Sequence, residues 1–385
     1  MRDLPSEIAD RFTEPFARFL RIEAASGILL LASALVALGL ANSPWSKEFL
    51  VFWETPTGVH FGPLDFSRSL QHWINDGLMT FFFFVVALEL KRELVLGELR
   101  NPRMAALPFA GALGGMIVPV AIYLAFMTGQ PGAHGWGTVM ATDTAFVIGC
   151  LALFGSRIPP SLRLLLLSLA IFDDVGAILV VAVAYSDALN WTALTLGVLG
   201  LAVVAGAARL GIRSIPVYFL FGGIIWLCID ASGIHATMAG VILGLMTPTG
   251  VWVTDARLRA ILDRVLSYPI GEHWSGDTAD RRDLRLAGRA VAESLSPVER
   301  LEMMLHPWTG FVIMPVFALA NAGVTVSAAD IGQSLFVAIF AGLVFGKPIG
   351  VLIFRRSRFA YRHGHRIGRM RQEWWFNQRC SMEGR

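Results

Sequence analysis

The sequence predicts an all-α polytopic membrane protein. Of its 385 residues, 55% are hydrophobic and only 16% are charged, and the mean hydropathy is +0.59. Because soluble domains carry about 25% charged residues, this deficit indicates that much of the outer surface faces lipid. The apolar residues also form long runs instead of alternating with polar ones, which favours membrane helices over a β-barrel.

About ten apolar stretches approach the length of a membrane span, which is roughly 17–25 residues. The seventh and eighth are short, and only residues 230–233 separate them. The predicted spans are Ile22–Ala41, Trp73–Leu90, Ala105–Phe126, Trp136–Phe154, Leu162–Tyr185, Trp191–Ala208, Ile215–Ile229, Ile234–Thr247, Pro307–Ala322 and Gln333–Phe354.

The distribution of Lys and Arg supports ten spans with both termini in the cytoplasm. With that topology, 29 of the 32 Lys and Arg residues fall on the cytoplasmic side. Lys47 and Arg68 fall outside, and Lys347 lies within the last span. Such an asymmetry is the positive-inside rule, and a wrong number of spans would scatter the charges over both sides.

The loop Asn42–Gln71 is long and lies on the outer side in this topology. Its stretches Phe49–Glu54 and Val59–Phe66 flank Pro56-Thr57-Gly58, which predicts two strands joined as a small hairpin. A disordered loop is the alternative interpretation.

The remaining segments outside the spans are rich in charge. The cytoplasmic segment 250–306 contains many Arg and Asp residues, and a surface helix is expected around Asp280–Met304. Residues 355–385 carry nine Arg and no apolar run, so we separate them, as an Arg-rich tail, from a transmembrane domain at residues 1–354.

Four charged residues lie away from the ends of the predicted spans: Asp143, Asp173, Asp174 and Lys347. Each charged group near the middle of a bilayer costs about 3 kcal/mol on insertion scales, so the four cost on the order of 10 kcal/mol. Such groups usually line an aqueous path or pair with one another, and they are therefore the candidates for function.

Each of these residues also has a purely structural interpretation. Asp143 can cap a helix, since Thr-Asp-Thr suits an N-terminus, and Lys347 can extend its ammonium to the interface. Such explanations are few for two adjacent Asp residues in an apolar helix. Because neighbouring helical residues point about 100° apart, Asp173 and Asp174 face different surroundings, and Lys347 is the natural partner for one of them. Pro348, with glycines at 342, 346 and 350, indicates close packing or a kink there.

The chemistry of this set fits an alkali cation. Sodium is a hard cation that prefers oxygen ligands, and Asp173, Asp174 and the Thr142 hydroxyl supply them. Carboxylates also bind protons, so one site can hold either Na⁺ or H⁺. If the site opens alternately to the two sides of the membrane, this competition is sufficient for antiport.

At these residues the sequence resembles the NhaA family of bacterial Na⁺/H⁺ antiporters. The motifs that carry the resemblance run in family order from about Leu20 to Gly350 and together are highly specific. They are Trp73–Met79 (WINDGLM), Leu88–Glu93 (LELKRE), Gly114–Pro119 (GGMIVP), Ala141–Phe146 (ATDTAF), Phe172–Ile178 (FDDVGAI), Ser232–Thr237 (SGIHAT), Leu305–Trp308 (LHPW), Phe317–Gly323 (FALANAG) and Gly346–Gly350 (GKPIG).

The resemblance implies a helical bundle in which a broken transmembrane helix crosses another one. It implies that Asp173 and Asp174 bind Na⁺ or H⁺ with Thr142, that Asp143 compensates the charges of helix ends, and that Asp173 pairs with Lys347 in one protonation state. It further implies a homodimer formed through the loop 42–71, and exchange of cytoplasmic Na⁺ or Li⁺ for external H⁺ across the bacterial inner membrane, in sodium and pH homeostasis. A set of residues is expected to respond to pH: Glu89, Glu93, Glu299, Glu302, His306 and His235. His235 can equally be a turn residue with no such role.

Three features depart from the family pattern, one of which is a cytoplasmic segment, Gly250–Glu299, that is longer than expected. Thr144 stands where the family usually has an apolar residue. The family has 12 spans, whereas the pattern ends here after about Phe354. From the composition of the tail we expect a shortened or frame-shifted gene, and this leaves open a truncated or degenerate homologue without transport activity.

An intramembrane aspartyl protease is a remote alternative because it also uses two buried Asp residues. Its usual Gly-x-Gly-Asp context is absent, and the adjacent Asp173 and Asp174 cannot form a symmetric dyad. No cofactor motif occurs, and Cys150, Cys228 and Cys380 lack metal-site spacing. Nucleic acid is not expected as a partner because the basic residues follow the membrane topology. We therefore predict a secondary transporter rather than an enzyme.

Overall fold

The computed structural model describes residues 23–61, 64–140, 157–185, 189–212, 214–266, 279–326 and 332–354. Within these ranges the chain forms helices and one small antiparallel sheet. The strands are β1 (Pro56–Phe61) and β2 (Leu64–Ser69). The helices are α1 (Glu23–Ala41), α2 (Ser46–Glu54), α3 (Leu70–Val95), α4 (Pro102–Met127), α5 (Pro160–Ala184), α6 (Trp191–Arg209), α7 (Ile215–Ala231), α8 (Thr237–Met246), α9 (Asp255–Leu266), α10 (Ala279–Glu293), α11 (Pro297–Asn321) and α12 (Ser334–Phe354).

Five of these helices are long and apolar enough to cross a membrane: α3, α4, α6, α11 and α12. The number of candidate spans rises to six if α1 and α2, which meet at a bend of 115°, are counted together as one span. Helices α7 and α8 are apolar but shorter. Large apolar side chains cover the outer faces, for example Leu199, Leu220 and Leu352, which are each more than 60% exposed. The prediction of an all-α membrane protein is thus supported, whereas the count of ten spans stays a prediction.

The helix ends follow local sequence signals. The Asn190 side chain accepts hydrogen bonds from the amides of Thr192 and Ala193 at the start of α6. Ser296 and Glu299 form a capping box at the start of α11. Helices α3, α11 and α12 each contain one π-helical turn, a feature that often marks functional positions.

The chain divides into two compact units. The first contains α1 to α3, the hairpin and α6 to α11, and its most extensive contact joins α8 to α3. Gly240 of α8 lies directly against the Thr80 backbone, where a Cβ atom would collide with the carbonyl oxygen. The absence of a side chain at residue 240 therefore permits this close approach.

The second unit contains α4, α12 and nearly all of α5. Glycines bring α4 and α12 together, since a Cβ atom at Gly350 would collide with the Gly114 carbonyl group and one at Gly346 would lie 2.9 Å from Pro119 Cα. The close packing that the glycines around Lys347 predict is therefore present.

The hairpin predicted within the loop Asn42–Gln71 is present, but its position was predicted wrongly. The strands pair from Pro56 with Ser69 to Phe61 with Leu64, so the connection follows Phe61 and is not at residues 56–58. The stretch Phe49–Glu54, predicted as a strand, lies in α2. Aromatic and β-branched residues suggested a strand, yet Phe49 and Trp53 contact each other one helical turn apart, with ring centroids separated by 6.0 Å.

The segment between α8 and the apolar part of α11 contains more helix than expected. The surface helix predicted around Asp280–Met304 is two helices, because α10 ends at Glu293 and α11 begins at Pro297. The Ser296 cap marks the new start, and Pro297 favours the first turn of a helix.

Candidate functional site

The two adjacent aspartates lie in the middle of α5 and are both buried. Asp173 is 3% exposed and Asp174 is 7% exposed. Since consecutive helical side chains diverge by about 100°, one helix presents two carboxylates to different parts of its surroundings. A buried carboxylate needs a compensating charge or polar partners to remain ionised.

Lys347 of α12 supplies that charge to Asp173. Its Nζ atom lies 2.8 Å from Asp173 Oδ2 and donates a hydrogen bond of 2.5 Å to the Met140 carbonyl. The Lys347 side chain is only 16% exposed, so it does not extend its ammonium into solvent. The expected contact between the two residues is therefore present.

The backbone of α12 positions this lysine. Its π-helical turn, Gly342–Gly346, ends directly before Lys347. Across the helix contact, a Cβ atom at Gly115 of α4 would lie 3.8 Å from Lys347 Cγ. The glycine-lined approach of α4 and α12 thus leaves room for the lysine stem, and the ammonium reaches α5.

Apolar packing surrounds the charged groups within the second unit. Ala112, Met116, Met140 and Ala177 form a buried cluster, against which Leu169 and Phe172 of α5 pack. The rings of Phe109 and Phe172 meet edge to face at 5.6 Å. Low polarity strengthens interactions among charges and raises the cost of any charge that is left without a counterion.

Thr142, Asp143 and Thr144 lie outside the residues that the structure describes. The same holds for Cys150, Cys380 and the Arg-rich tail, whereas Cys228 is a free cysteine. The participation of Thr142 and Asp143 in the site stays a prediction.

A second charged group, in the first unit, contains most residues expected to respond to pH. Arg92 of α3 contacts buried Glu302 of α11 at 2.5 Å and Glu93 at 3.5 Å. His306 Nε2 lies 3.8 Å from Glu89 Oε1. The carboxylates outnumber the cations here, and proton binding would relieve this imbalance.

Glu299 and His235 make other contacts. The Glu299 carboxylate accepts hydrogen bonds from the Ser296 hydroxyl, at 2.7 Å, and from the Ser296 amide, at 3.0 Å. His235 lies in the turn between α7 and α8, and its charge acts on Asp76 of α3. The pH roles of both residues stay predictions.

One charged cluster in the structure was not predicted from the sequence. Arg68, His72, Asp76 and Asp230 contact one another where β2 meets α3 and where α7 ends. Asp76 was recognised only as part of a family motif. The spacing of Arg68, His72 and Asp76, four residues apart in each case, was the available signal, but nothing in the sequence pointed to the distant Asp230.

A cavity of about 360 Å³ in the first unit is not a candidate for ion exchange. Aromatic and small residues line it, among them Trp73, Phe81, Gly222 and Trp226, and no ionisable carboxylate or amine belongs to its lining. An alkali ion that left water for this cavity would find no carboxylate in the lining to balance its charge.

Comparison with known proteins identifies the family. Residues 17–374 match the model of the family described as Na⁺/H⁺ antiporter 1. The chain belongs to this antiporter family. It is 66% identical over 351 residues to the Na⁺/H⁺ antiporter NhaA of Rhizobium meliloti, covering 91% of this chain and 80% of that relative. It is also 62% identical to Na⁺/H⁺ antiporter NhaA 2 of Acidiphilium cryptum and 53% identical to Na⁺/H⁺ antiporter NhaA 2 of Vibrio vulnificus, each covering 91% of this chain and 78% of the relative.

Family membership and the apolar helices together mean that the chain is a multi-pass membrane protein and a secondary transporter, not an enzyme. Nothing favours the aspartyl-protease alternative or the truncated, inactive alternative. The family match extends past Phe354 to residue 374, and the residue at which the family pattern ends stays a prediction.

Proposed function

We propose that the chain exchanges cytoplasmic Na⁺ or Li⁺ for external H⁺ across a bacterial inner membrane. The observation that carries this proposal is the buried ion pair of Asp173 and Lys347 beside buried Asp174, in a member of the antiporter family. The exchange would serve sodium and pH homeostasis.

The charge balance of these three residues explains why ions would bind. Two carboxylates and one ammonium leave one negative charge in a buried place, which is unfavourable without a counterion. A sodium ion or a proton neutralises it, and each binds to carboxylate oxygens. Binding of one ion therefore disfavours the other, and alternate opening of the site to the two sides converts this competition into exchange.

The two aspartates have different roles in this proposal. Asp174, adjacent to the ion pair, provides the carboxylate that the transported ion meets, while Asp173 contributes a second oxygen when it leaves Lys347. A proton on Asp173 removes the negative charge that holds the ammonium. Protonation is thereby coupled to movement of α12 relative to α5, because the contact of 2.8 Å loses its electrostatic basis.

Thr142 and Asp143 complete the proposed site. The Thr142 hydroxyl would be an oxygen ligand for Na⁺, and Asp143 would compensate the charges of helix ends where a broken helix crosses another one. Both roles follow from the family motif at residues 141–146.

The proposed topology has ten spans with both termini in the cytoplasm, as the 29 cytoplasmic Lys and Arg residues suggest. The hairpin Pro56–Ser69 then lies outside and joins two protomers into a homodimer. Its short paired strands have edges that can pair with those of a second copy.

We assign the pH response to the charged group around Arg92 and Glu302, with Glu89, Glu93 and His306. These residues connect α3 to α11, so a change in their protonation alters the contact between two long helices. Glu299 and His235 are proposed to contribute from the Ser296 cap and from the turn between α7 and α8.

The test is sodium-driven proton movement in everted vesicles that contain a pH-sensitive dye. The parent protein should dissipate an imposed pH gradient when Na⁺ or Li⁺ is added at alkaline pH. Asp174→Asn should abolish this response, because an amide neither releases a proton nor binds a cation as a carboxylate does. Asp173→Asn should nearly abolish it.

Asp263→Asn is the matched control, since it makes the same chemical change at an exposed carboxylate of α9. It should leave the exchange at the parent level. Full exchange by Asp174→Asn would contradict the proposal. So would the absence of any response to Na⁺ and Li⁺ in vesicles that contain the parent protein in the same amount as the control variant.

A further inference from the structure

The cluster Arg68, His72, Asp76 and Asp230 lies at the base of the hairpin, and none of its members is used in the proposed exchange. Arg68 is the penultimate residue of β2, His72 and Asp76 follow in the first turns of α3, and Asp230 is near the end of α7. The cluster thus connects the hairpin to two helices of the first unit.

Arg68 links the hairpin to α7 through two hydrogen bonds. Its Nη1 atom donates to Asp230 Oδ1 at 2.9 Å, and its Nη2 atom lies 2.5 Å from Asp230 Oδ2. The Asp230 side chain is 10% exposed and that of Arg68 is 27% exposed. Paired bonds of this kind are directional and hold both partners in one orientation.

One nitrogen atom of the His72 ring lies close to both a hydrogen-bond donor, Arg68, and an acceptor, Asp76. Its Nε2 atom lies 2.5 Å from Arg68 Nη1 and 2.8 Å from Asp76 Oδ2. Without a proton, this nitrogen accepts from Arg68 and opposes the Asp76 carboxylate. With a proton, it donates to Asp76 and opposes Arg68. The two contacts therefore require different protonation of Nε2, which changes either with the charge of the ring or with its tautomer.

The charges favour binding of a proton. Arg68 offers one positive charge to the two carboxylates Asp76 and Asp230 while His72 is neutral, so a proton on His72 balances the cluster. Besides these residues, His235 is the titratable group that acts on Asp76 among the residues that the structure describes. The His72 side chain is 45% exposed, which gives protons direct access.

A divalent metal is a poorer occupant of this cluster. Ligand atoms of His72, Asp76 and Asp230 do lie within 4.8 Å of one another. The Arg68 guanidinium, however, contacts His72 and Asp230 and is 4.0 Å from Asp76. A metal would have to displace this resident cation.

We propose that His72 is a proton-binding site that controls how the hairpin is held against α7 and α3. When the proton leaves Nε2, His72 exchanges its contact with Asp76 for one with Arg68, and the end of β2, which carries Arg68, moves toward the neutral imidazole. Histidine ordinarily changes charge between about pH 5 and 8. The position of the hairpin should therefore respond to pH, whether or not the chain transports ions.

Electron paramagnetic resonance tests this site on the full chain in detergent, with spin labels at Ser67→Cys and Ala231→Cys after the native cysteines are replaced by serine. The dipolar broadening between the labels should change with pH in a single step. Asp76→Asn should move the midpoint about tenfold in proton concentration toward acid, and Arg68→Gln should move it by a similar factor toward alkaline pH, since a neighbouring charge typically changes proton affinity by this order or more. These opposite shifts distinguish proton binding at His72 from a general loosening of the fold.

His72→Gln should remove the step, whereas His134→Gln, which changes a histidine of the second unit, should retain it. If His72→Gln does not fold, titration of ¹³C-labelled histidines in the parent and in Asp76→Asn measures the same midpoint. A step that survives His72→Gln, or equal midpoints in the parent and the two charge variants, would overturn the proposal. None of these readouts depends on sodium exchange, so failure of the antiport proposal would leave the result interpretable.

Discussion

Lys347 Nζ lies 2.8 Å from Asp173 Oδ2, and the same ammonium donates to the carbonyl of Met140. One side chain of α12 thereby contacts α5 and the segment that precedes residues 141–156. The contact is buried, since the side chains of Lys347 and Asp173 are 16% and 4% exposed. Its stability consequences follow from the cost of a buried charge without a partner.

Lys347→Ala should lower the stability of the protein by about 3 kcal/mol, because removing one partner of a buried pair leaves the other uncompensated. The measurement is the Tm of the purified protein in detergent at neutral pH. The Tm of Lys347→Arg should fall much less than that of Lys347→Ala, because arginine retains the positive charge.

A second change should recover part of this loss. In Lys347→Ala combined with Asp173→Asn, no buried charge remains without its partner, so the effects of the two substitutions should not add. Additive losses, or a Tm for Lys347→Ala equal to that of the parent, would argue against an energetically important ion pair.

Gly350→Ala should destabilise the packing of α4 against α12 by about 2 kcal/mol, because overpacking of this kind costs 1–3 kcal/mol. A Cβ atom at residue 350 would collide with the Gly114 carbonyl. Gly223→Ala in α7 is the matched control, since its Cβ atom would have no neighbour within 4 Å among the described residues. It should be neutral or stabilising by up to about 1 kcal/mol. Thermal melts of both variants compare them directly, and a Gly350→Ala variant as stable as the control would contradict the close helix contact.

The positions of most helices could be predicted because hydrophobic length dominates in a membrane. The predicted span Trp191–Ala208, for example, corresponds to α6, Trp191–Arg209. The contact between Lys347 and Asp173 could also be predicted, because a lysine inside an apolar span needs an anion and few acidic residues lie within the spans. Buried charges in apolar surroundings restrict the possible partners strongly.

The hairpin and the cluster at its base show what the sequence could not supply. Phe49–Glu54 has the composition of a strand, yet it forms a helix in which Phe49 contacts Trp53 one turn away and packs against Gly323. Arg68 and Asp230 are 162 residues apart. In a polar loop many acidic residues compete as partners for one arginine, so sequence alone did not select Asp230.

Arg92→Gln should weaken the contact between α3 and α11 by about 1 kcal/mol, a value that allows for solvent screening because the Arg92 side chain is 38% exposed. It should also displace the pH range in which Na⁺ drives proton movement in vesicles. Combining it with Glu302→Gln should restore stability, since two amides can bond to each other. Arg257→Gln, in α9, is the control for loss of a surface arginine. An Arg92→Gln protein with the parent's pH range and Tm would exclude this pair from the pH response.

Replacing residues 58–66 by a short Gly-Ser linker should convert the proposed homodimer into a monomer, because it removes two thirds of β1 and half of β2 while retaining Arg68 and the start of α3. Native mass spectrometry in detergent measures the mass of the complex, and vesicle assays measure exchange. We expect monomers that still exchange Na⁺ for H⁺. Dimers of undiminished stability would place the protomer contact elsewhere.

Proton release on sodium binding tests the central claim most directly. Purified protein in weakly buffered detergent solution at alkaline pH should acidify the medium when Na⁺ is added, because the ion displaces protons from Asp173 and Asp174. Asp174→Asn should release none, while Asp263→Asn should match the parent. If Asp174→Asn releases as many protons as the parent, sodium and protons do not compete for these carboxylates, and the account is contradicted.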